Sequence, residues 1–394
     1  MSPRDRQTHH EDTRPRLALI VTDAYAFNTL SRGQLEFFRD NGIKLDLYCN
    51  GAPEQMDLLR QRQVGRVIRI PFRRQPHPVM DVVALCMLWW HLIRRRYSSV
   101  VYSTPKAMLL GSIAAFAALK QRRISIVRGR AYEIMTGAKR KFYLMVDRVS
   151  FALSHDVIFI SHSLMQAYRK DGIAPKDKAR ILGPGSSNGV DLDRFQPMSP
   201  QQRAEFRRQH GLTDEHFIIV LPGRVVADKG VREALSLIDR LQDLPQLRWF
   251  FIGWPEDEAL TAAIKAKAGQ GVTHHDHTRR IQDWMGLADL AFLPTHREGF
   301  CNVAAEAAAC GLPTLGFDVV GLRDSVAVGT TGTLVPFGDI EACEAYIRDA
   351  VDNSAAFKAR FPNARKWVAD RFDKQEVWQR YAKAFSGRAL SVTD

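Results

Sequence analysis

Residues Thr295–Gly321 read THREGFCNVAAEAAACGLPTLGFDVVG, with Glu298 and Glu306 eight positions apart across a loop-to-helix junction. The preceding ADLAFLP is a short apolar run of the kind that forms a buried parallel strand, and PTLGFD reads as the next strand. One helix lies between them. Asn302 offers an N-cap, Ala304 to Ala309 is rich in the best helix former, and Gly311 followed by Pro313 stops the helix. Glu298 then sits in the loop and Glu306 about one turn inside the helix. The free backbone N–H groups of Cys301, Asn302 and Val303 are expected to point into one space, where a helix N-terminus favours an anion such as a diphosphate. Two carboxylates beside that space accept hydrogen bonds from hydroxyls. Phosphate next to polyhydroxylated rings is the chemistry of a nucleotide sugar.

A second element points the same way. The strand FIIVLPG runs into a loop bearing Gly223, Arg224 and Lys229, and a helix begins near Gly230, which places two cations where they can meet a pyrophosphate. Together these segments resemble the retaining glycosyltransferases of family four, which have the two-domain GT-B fold and carry a Glu-x7-Glu element before an alanine-rich helix. Arg297 to Asp339, ending in GTTGTLVPFGD, follows that family's pattern almost without a break. The resemblance implies that Glu306 binds the ribose hydroxyls and Glu298 touches the donor sugar. It implies that the amides after Gly299, those of Phe300, Cys301, Asn302 and Val303, hold the diphosphate. Arg224 and Lys229 would stabilise the departing nucleoside diphosphate, so Glu298, Arg224 and Lys229 are the candidate catalytic residues.

A chain of 394 residues is too long for one comfortable core and fits two α/β units of doubly wound, Rossmann-like type. LALIV, LDLYC, VIRIP, SVVYS, SIVRG and VIFIS alternate with helices, and FIIVLPG, RWFFIGW, THHDH, DLAFLP and PTLGFD form a second series. Leu182 to Pro200, rich in Gly, Ser, Asn and Pro, marks the linker. The expected organisation is a mobile, polar tail over 1–16 with no secretion signal, an acceptor-binding domain over 17–190, and a nucleotide-sugar-binding domain over 191–373. By family resemblance an amphipathic helix over 374–390, with Val377, Tyr381 and Phe385 at helical spacing, crosses back to the first domain. Five scattered cysteines without CxxC spacing argue for a reducing compartment and no disulfides.

The charge is lopsided. Residues 1–197 hold 32 Lys+Arg against 17 Asp+Glu, whereas residues 198–394 hold 24 against 26. From Arg60 to Lys141 there are 18 cations and two acids, Asp81 and Glu133, so an anionic partner is expected at this half. Within it, VVALCMLWWHLIRRR is too short to cross a bilayer. Trp89 and Trp90 point about 100° apart on a helix, so one is expected near the surface, where tryptophan beside arginine suits a membrane interface.

On the acceptor side, family members often place a histidine in the loop after the strand matching SIVRG. This chain has Arg128-Gly129-Arg130 and then Glu133 there, so that histidine is not carried over. RGRAYE resembles instead the subgroup that extends polyprenyl-diphosphate-linked sugars in capsule, O-antigen or exopolysaccharide assembly. Arg128 and Arg130 are either receivers of a lipid diphosphate or structural partners of Glu133 and other acids. Phe27, Asn28 and Lys106 complete the acceptor candidates, the first two in the loop after the first strand.

His274, His275 and His277 with Asp276 suggest a metal cluster, but adjacent histidines on a strand face opposite ways, and no metal site is expected. The resemblance likewise implies no metal cofactor. Nucleic acid is not an expected partner, because basic and aromatic residues are not interleaved as in a stacking platform. The expected protein is a hexosyl- or N-acetylhexosaminyltransferase using a nucleotide sugar, by resemblance UDP-linked. Its expected partner is a lipid-linked anionic acceptor, and its expected place is cytoplasmic, peripheral on an anionic inner membrane face. A sugar-nucleotide epimerase or a GT-B protein without transferase activity are the alternatives. The epimerases lack the glutamate pair with the ACGLP helix.

Overall fold

The structure, a computed structural model, describes residues 14–130, 132, 133 and 135–387, so most of the expected tail and the end of the expected last helix lie outside the described residues. Thirteen strands form two wholly parallel sheets among the paired strands described. The first sheet contains β1 (Arg16–Asp23), β2 (Lys44–Asn50), β3 (Arg66–Arg69), β4 (Ser99–Ser103), β5 (Arg123–Val127), β6 (Asp156–Phe159) and β7 (Ala179–Ile181), in the order β3-β2-β1-β4-β5-β6-β7. The second contains β8 (Phe217–Pro222), β9 (Leu247–Ile252), β10 (Val272–His275), β11 (Leu290–Leu293), β12 (Thr314–Phe317) and β13 (Gly332–Val335), in the order β10-β9-β8-β11-β12-β13. In each order the chain winds one way from a central strand and then the other, the doubly wound topology, and it reverses beside β1 and β8. All residues of β4 and β8 are buried, as strands covered on both faces of a parallel sheet are.

By contact the chain separates into two compact units. One comprises the described residues of Met1–Ile126, Val149–Asp156 and Tyr381–Asp394, and the other those of Val127–Arg148 and Val157–Arg380. In the first, the last turn of the helix Lys374–Ser386 packs by Phe385, whose ring lies 6.0 Å from Phe38 and whose carbonyl accepts a hydrogen bond from Ser99 at 2.5 Å. In the second, Lys374 pairs with Asp191 at 2.7 Å and the Trp378 indole donates to the Asn188 carbonyl at 2.9 Å. Val377, Tyr381 and Phe385 are all buried, the face their spacing predicts.

Two local expectations need correction. Both Trp89 and Trp90 are exposed, at 38 % and 48 %, because the buried stripe of the helix Pro78–Ile93 runs through Ala84, Leu88 and Leu92 on the opposite side. The N-cap of the helix Asn302–Ala309 is Cys301 rather than Asn302, which is already helical. Among the described residues no helix is long and apolar enough to cross a membrane. The five cysteines are free, and all but Cys86 are buried.

Candidate active site

The second sheet gathers three loops at the C-terminal ends of its strands, and glycines allow them to touch. A Cβ on Gly253, after β9, would lie 1.9 Å from the Gly223 carbonyl oxygen after β8. Gly230 has φ +74 and would place a Cβ 2.0 Å from the Pro294 carbonyl oxygen after β11. Only glycine fits either close approach. The loop over 223–230 therefore lies directly against the loop over 294–301, and polar bonds join them. The Asp228 carbonyl accepts from the His296 N–H at 2.9 Å and the Thr295 hydroxyl at 3.1 Å. Arg297 donates to the Asp228 carboxylate at 2.9 Å.

The product of this zipper is an ion pair between Lys229 Nζ and Glu298 Oε1 at 2.5 Å, with the Thr295 hydroxyl on the same oxygen at 3.3 Å. Burial works against the lysine charge, but Glu298 and the nearby Cys301 and Asp228 more than restore it, so the Lys229 pKa is raised. An ammonium has three donors, so Glu298 leaves two for another anion. Arg224 stands apart as an exposed pair with Glu256. Such a surface pair is worth roughly 0–1 kcal/mol, little hindrance to exchanging Glu256 for a ligand phosphate.

The helix Asn302–Ala309 begins beside this pair. The expectation of free amides at 301, 302 and 303 is met only at Val303. The Cys301 N–H donates to Gly321 at 3.4 Å and that of Asn302 to Phe300 at 3.1 Å. The backbone N–H groups of Gly299, Phe300 and Val303 have no acceptor among the described residues. The Glu306 carboxylate likewise has no hydrogen-bond partner among the described residues, its backbone carbonyl alone accepting, from the Cys310 N–H at 3.1 Å. Burial pushes its carboxyl up to about 7, with Arg194 pulling weakly the other way. A carboxylate kept so short of partners is one that a ligand hydroxyl can satisfy.

Arg128, through its backbone, and several residues that the sequence reading did not single out hold the Glu298 loop in place. A Cβ on Gly299 would lie 1.9 Å from the Arg128 carbonyl oxygen, and the Ser161 hydroxyl donates to the Gly299 carbonyl at 2.6 Å. The Asp324 carboxylate accepts from the His162 N–H at 2.9 Å, the Ser163 N–H at 3.2 Å and the Ser163 hydroxyl. That hydroxyl in turn accepts from the Gly321 N–H at 2.7 Å. These bonds explain why residues 127–148 and 157–187 fall in the same compact unit as the second sheet. They also occupy the first N–H groups of the helix His162–Lys170, whose next one goes to the Ser161 hydroxyl. That N-terminus is closed to phosphate. The signal in the sequence was the charged pair Arg323-Asp324 after Gly321, but nothing local says which helix Asp324 caps.

The acceptor candidates are each held by their own neighbours. Arg130 is clamped by Glu133 at 2.5 Å and Asp171 at 3.2 Å, which is the structural-partner reading of that arginine. Lys106 binds Asp81 at 2.7 Å and the Gln75 carbonyl at 2.6 Å. Phe27 is a core residue at 2 % exposure rather than a wall open to a ligand, and the Asn28 amide donates to Gln55. The histidines disperse: His274 meets the Gly253 carbonyl, His275 packs on Phe250 and Trp284, and His277 stacks on Trp254. Among the described residues no group of three or more His, Cys, Asp or Glu is placed to hold a metal.

Two doubly wound parallel sheets, with cations, two carboxylates and a helix start at the strand ends of the second, define an α/β protein of GT-B architecture. Family models agree: one for glycosyl transferases group 1 matches residues 202–367 and one for a glycosyl transferase 4-like domain matches residues 28–185. The chain belongs to this family-four group of GT-B glycosyltransferases and is a glycosyltransferase. It is 28 % identical over 354 residues to the capsular polysaccharide biosynthesis glycosyltransferase CapM of Staphylococcus aureus, covering 89 % of this chain and 91 % of that one. It is 24 % identical to the Bacillus subtilis EpsD glycosyltransferase, covering 83 % and 85 %. In fold it resembles HepE of Anabaena, solved with UDP, at a TM-score of 0.76 and 20 % identity, covering 95 % of this chain and all of that one. It resembles sucrose-phosphate synthase of Thermosynechococcus elongatus at 0.78 and 19 %, with the same coverage.

Proposed function

We propose that the protein transfers a sugar, with retention, from a nucleoside diphosphate, UDP, to a polyprenyl-diphosphate-linked acceptor at the inner membrane face during surface-polysaccharide synthesis. The observation that carries this reading is the Lys229–Glu298 pair at 2.5 Å beside the open amides of Gly299, Phe300 and Val303. That arrangement offers donors for a diphosphate and a carboxylate for a sugar within one loop system. The CapM likeness supports the polysaccharide setting, and HepE, solved with UDP, supports the base.

In this reading the diphosphate lies across the loops after β8 and β11. Arg224 exchanges Glu256 for phosphate, and Lys229 spends its two remaining N–H donors on the same group. As the anomeric bond breaks, charge grows on the leaving phosphate, and these cations with the loop amides stabilise it more than the ground state. They supply the positive charge that a metal ion would otherwise bring, so no metal is required. Glu298, fixed by Lys229 and Thr295, orients the sugar through its hydroxyls. The acceptor hydroxyl attacks from the face the phosphate leaves, and a phosphate oxygen takes its proton. Glu306, one turn inside the helix, accepts from the ribose hydroxyls.

The test is transfer of radiolabelled sugar from a panel of UDP-, GDP- and ADP-sugars into a membrane lipid extract. Label entering lipid from a UDP-sugar is the expected result. Label entering only from another base overturns the UDP assignment, and absence of transfer with any donor, for protein shown to be folded, overturns the reading as a whole.

A further inference from the structure

The helix Pro78–Ile93 is apolar on both sides. Inward it buries Ala84, Leu88 and Leu92. Outward, its exposed side chains beyond Pro78 are Val79, Val82, Val83, Cys86, Trp89, Trp90 and Ile93. At 100° per residue these positions fall within one arc of about 120° running the helix's length, about 24 Å. A surface helix ordinarily puts polar residues on that arc. The single acid of this helix, Asp81, is turned away to pair with Lys106 at 2.7 Å. Cations stand at both ends instead. Arg73 and Arg74 are exposed before it, and Arg94 and Arg96 after it, with the Arg94 guanidinium 3.5 Å over the Trp90 ring.

We propose that this outer face lies flat in the interface of an anionic bilayer, its valines, tryptophans and Ile93 among the upper acyl chains and its terminal arginines on the headgroup phosphates. The charge pattern selects this occupant. Were two copies to pair through this face, an antiparallel arrangement would set Arg94 and Arg96 against Arg73 and Arg74, and a parallel one would set each cluster against itself. Like charges meet either way. An anionic bilayer supplies apolar cover for the middle and negative charge for both ends. Tryptophan with arginine stacked on it fits the level where acyl chain gives way to headgroup. At 16 residues the helix is too short to span, so it lies on the membrane. This inference rests on the membrane location in the proposed function and names the surface that makes it, independently of which sugar is moved.

The test compares wild type with Val82→Ser/Trp90→Ser and, separately, Arg94→Gln/Arg96→Gln, by co-sedimentation with vesicles of phosphatidylglycerol and phosphatidylcholine and with phosphatidylcholine alone. UDP binding and the thermal transition are followed in parallel, and all four substituted side chains are exposed, so both should be preserved. Expected are binding to the anionic vesicles that falls at least tenfold in each double variant and steeply with salt, weak binding to the neutral ones, and tryptophan quenching by brominated acyl chains. Variants that pellet like wild type overturn the assignment. So does a wild type that ignores vesicles, including one that forms a dimer dissolved by Val82→Ser/Trp90→Ser. Unchanged UDP binding alongside lost vesicle binding separates a failure of this surface from a failure of the donor site.

Discussion

Glu306 is a residue whose chemistry is set by its surroundings. Its carboxyl holds a proton up to about 7, against an ordinary 4.5, because burial penalises the charge. Between those values the native state binds more protons than the unfolded one, so ligand-free stability should fall as pH rises from 4.5 to 7 and level off above, by about 1–3 kcal/mol. Asp147, pushed to about 6 by burial, acts in the same direction over a lower range. Denaturant titrations across pH should therefore show Glu306→Gln losing the upper part of this slope while keeping the lower. Ribose hydroxyls donate best to an ionised carboxylate, so UDP affinity should rise with pH toward 7 more steeply in wild type than in Glu306→Gln, which should bind more weakly and keep only the rise that ionisation of the terminal phosphate of UDP brings. An identical pH slope in both proteins would remove Glu306 from the nucleotide site. Glu298→Ala and Lys229→Ala should act differently, slowing transfer roughly 10²–10³-fold at saturating donor. The types and spacing of these residues were legible in the sequence. Their pairing was not, because Lys229 reaches Glu298 only when Gly230 and Pro294 come together across 64 positions of chain.

At the scale of elements, the Glu298 loop depends on the segments packed against it. Gly299→Ala would drive a Cβ into the Arg128 carbonyl oxygen at 1.9 Å, so the loop must move by an ångström or more. A loss of about 1–3 kcal/mol in stability and a larger proportional loss of turnover are expected, read by thermal unfolding and kinetics on the same preparation. Asp324→Ala uncaps the helix His162–Lys170 and removes the acceptor of the Ser163 hydroxyl, at a cost of about 1–2 kcal/mol, and Asp324→Asn should recover part of it. Wild-type stability in Asp324→Ala would show that these bonds hold nothing. Eleven strands were read in the sequence, ten of them as apolar runs and the polar THHDH as a member of the second series. β7 (ARI) and β13 (GTLV) were not, being three and four residues long and only partly buried, too short for a period to register. The Asn302 cap was misread because Cys301 takes the non-helical turn and leaves Asn302 to bond Ser186 at 3.3 Å.

At the scale of the whole molecule, two sheets of one topology are built from chain segments of different net charge. The excess of cations over residues 1–197 contrasts with the slightly acidic remainder, so adding salt should weaken attachment to anionic vesicles far more than it weakens UDP binding at the paired, part-buried Lys229. The basic character was plain from composition, but its division of labour was not: Arg130 and Lys106 are committed to acids, whereas the terminal arginines of the helix Pro78–Ile93 flank an apolar face. The most direct test of the whole account is calorimetric titration of UDP into wild type, Arg224→Ala/Lys229→Ala and Glu306→Ala. Wild-type binding that weakens about 10- to 100-fold in Glu306→Ala and at least as much in the double variant is predicted. Equal UDP affinity in all three folded proteins would contradict a donor site at the strand ends of the second sheet.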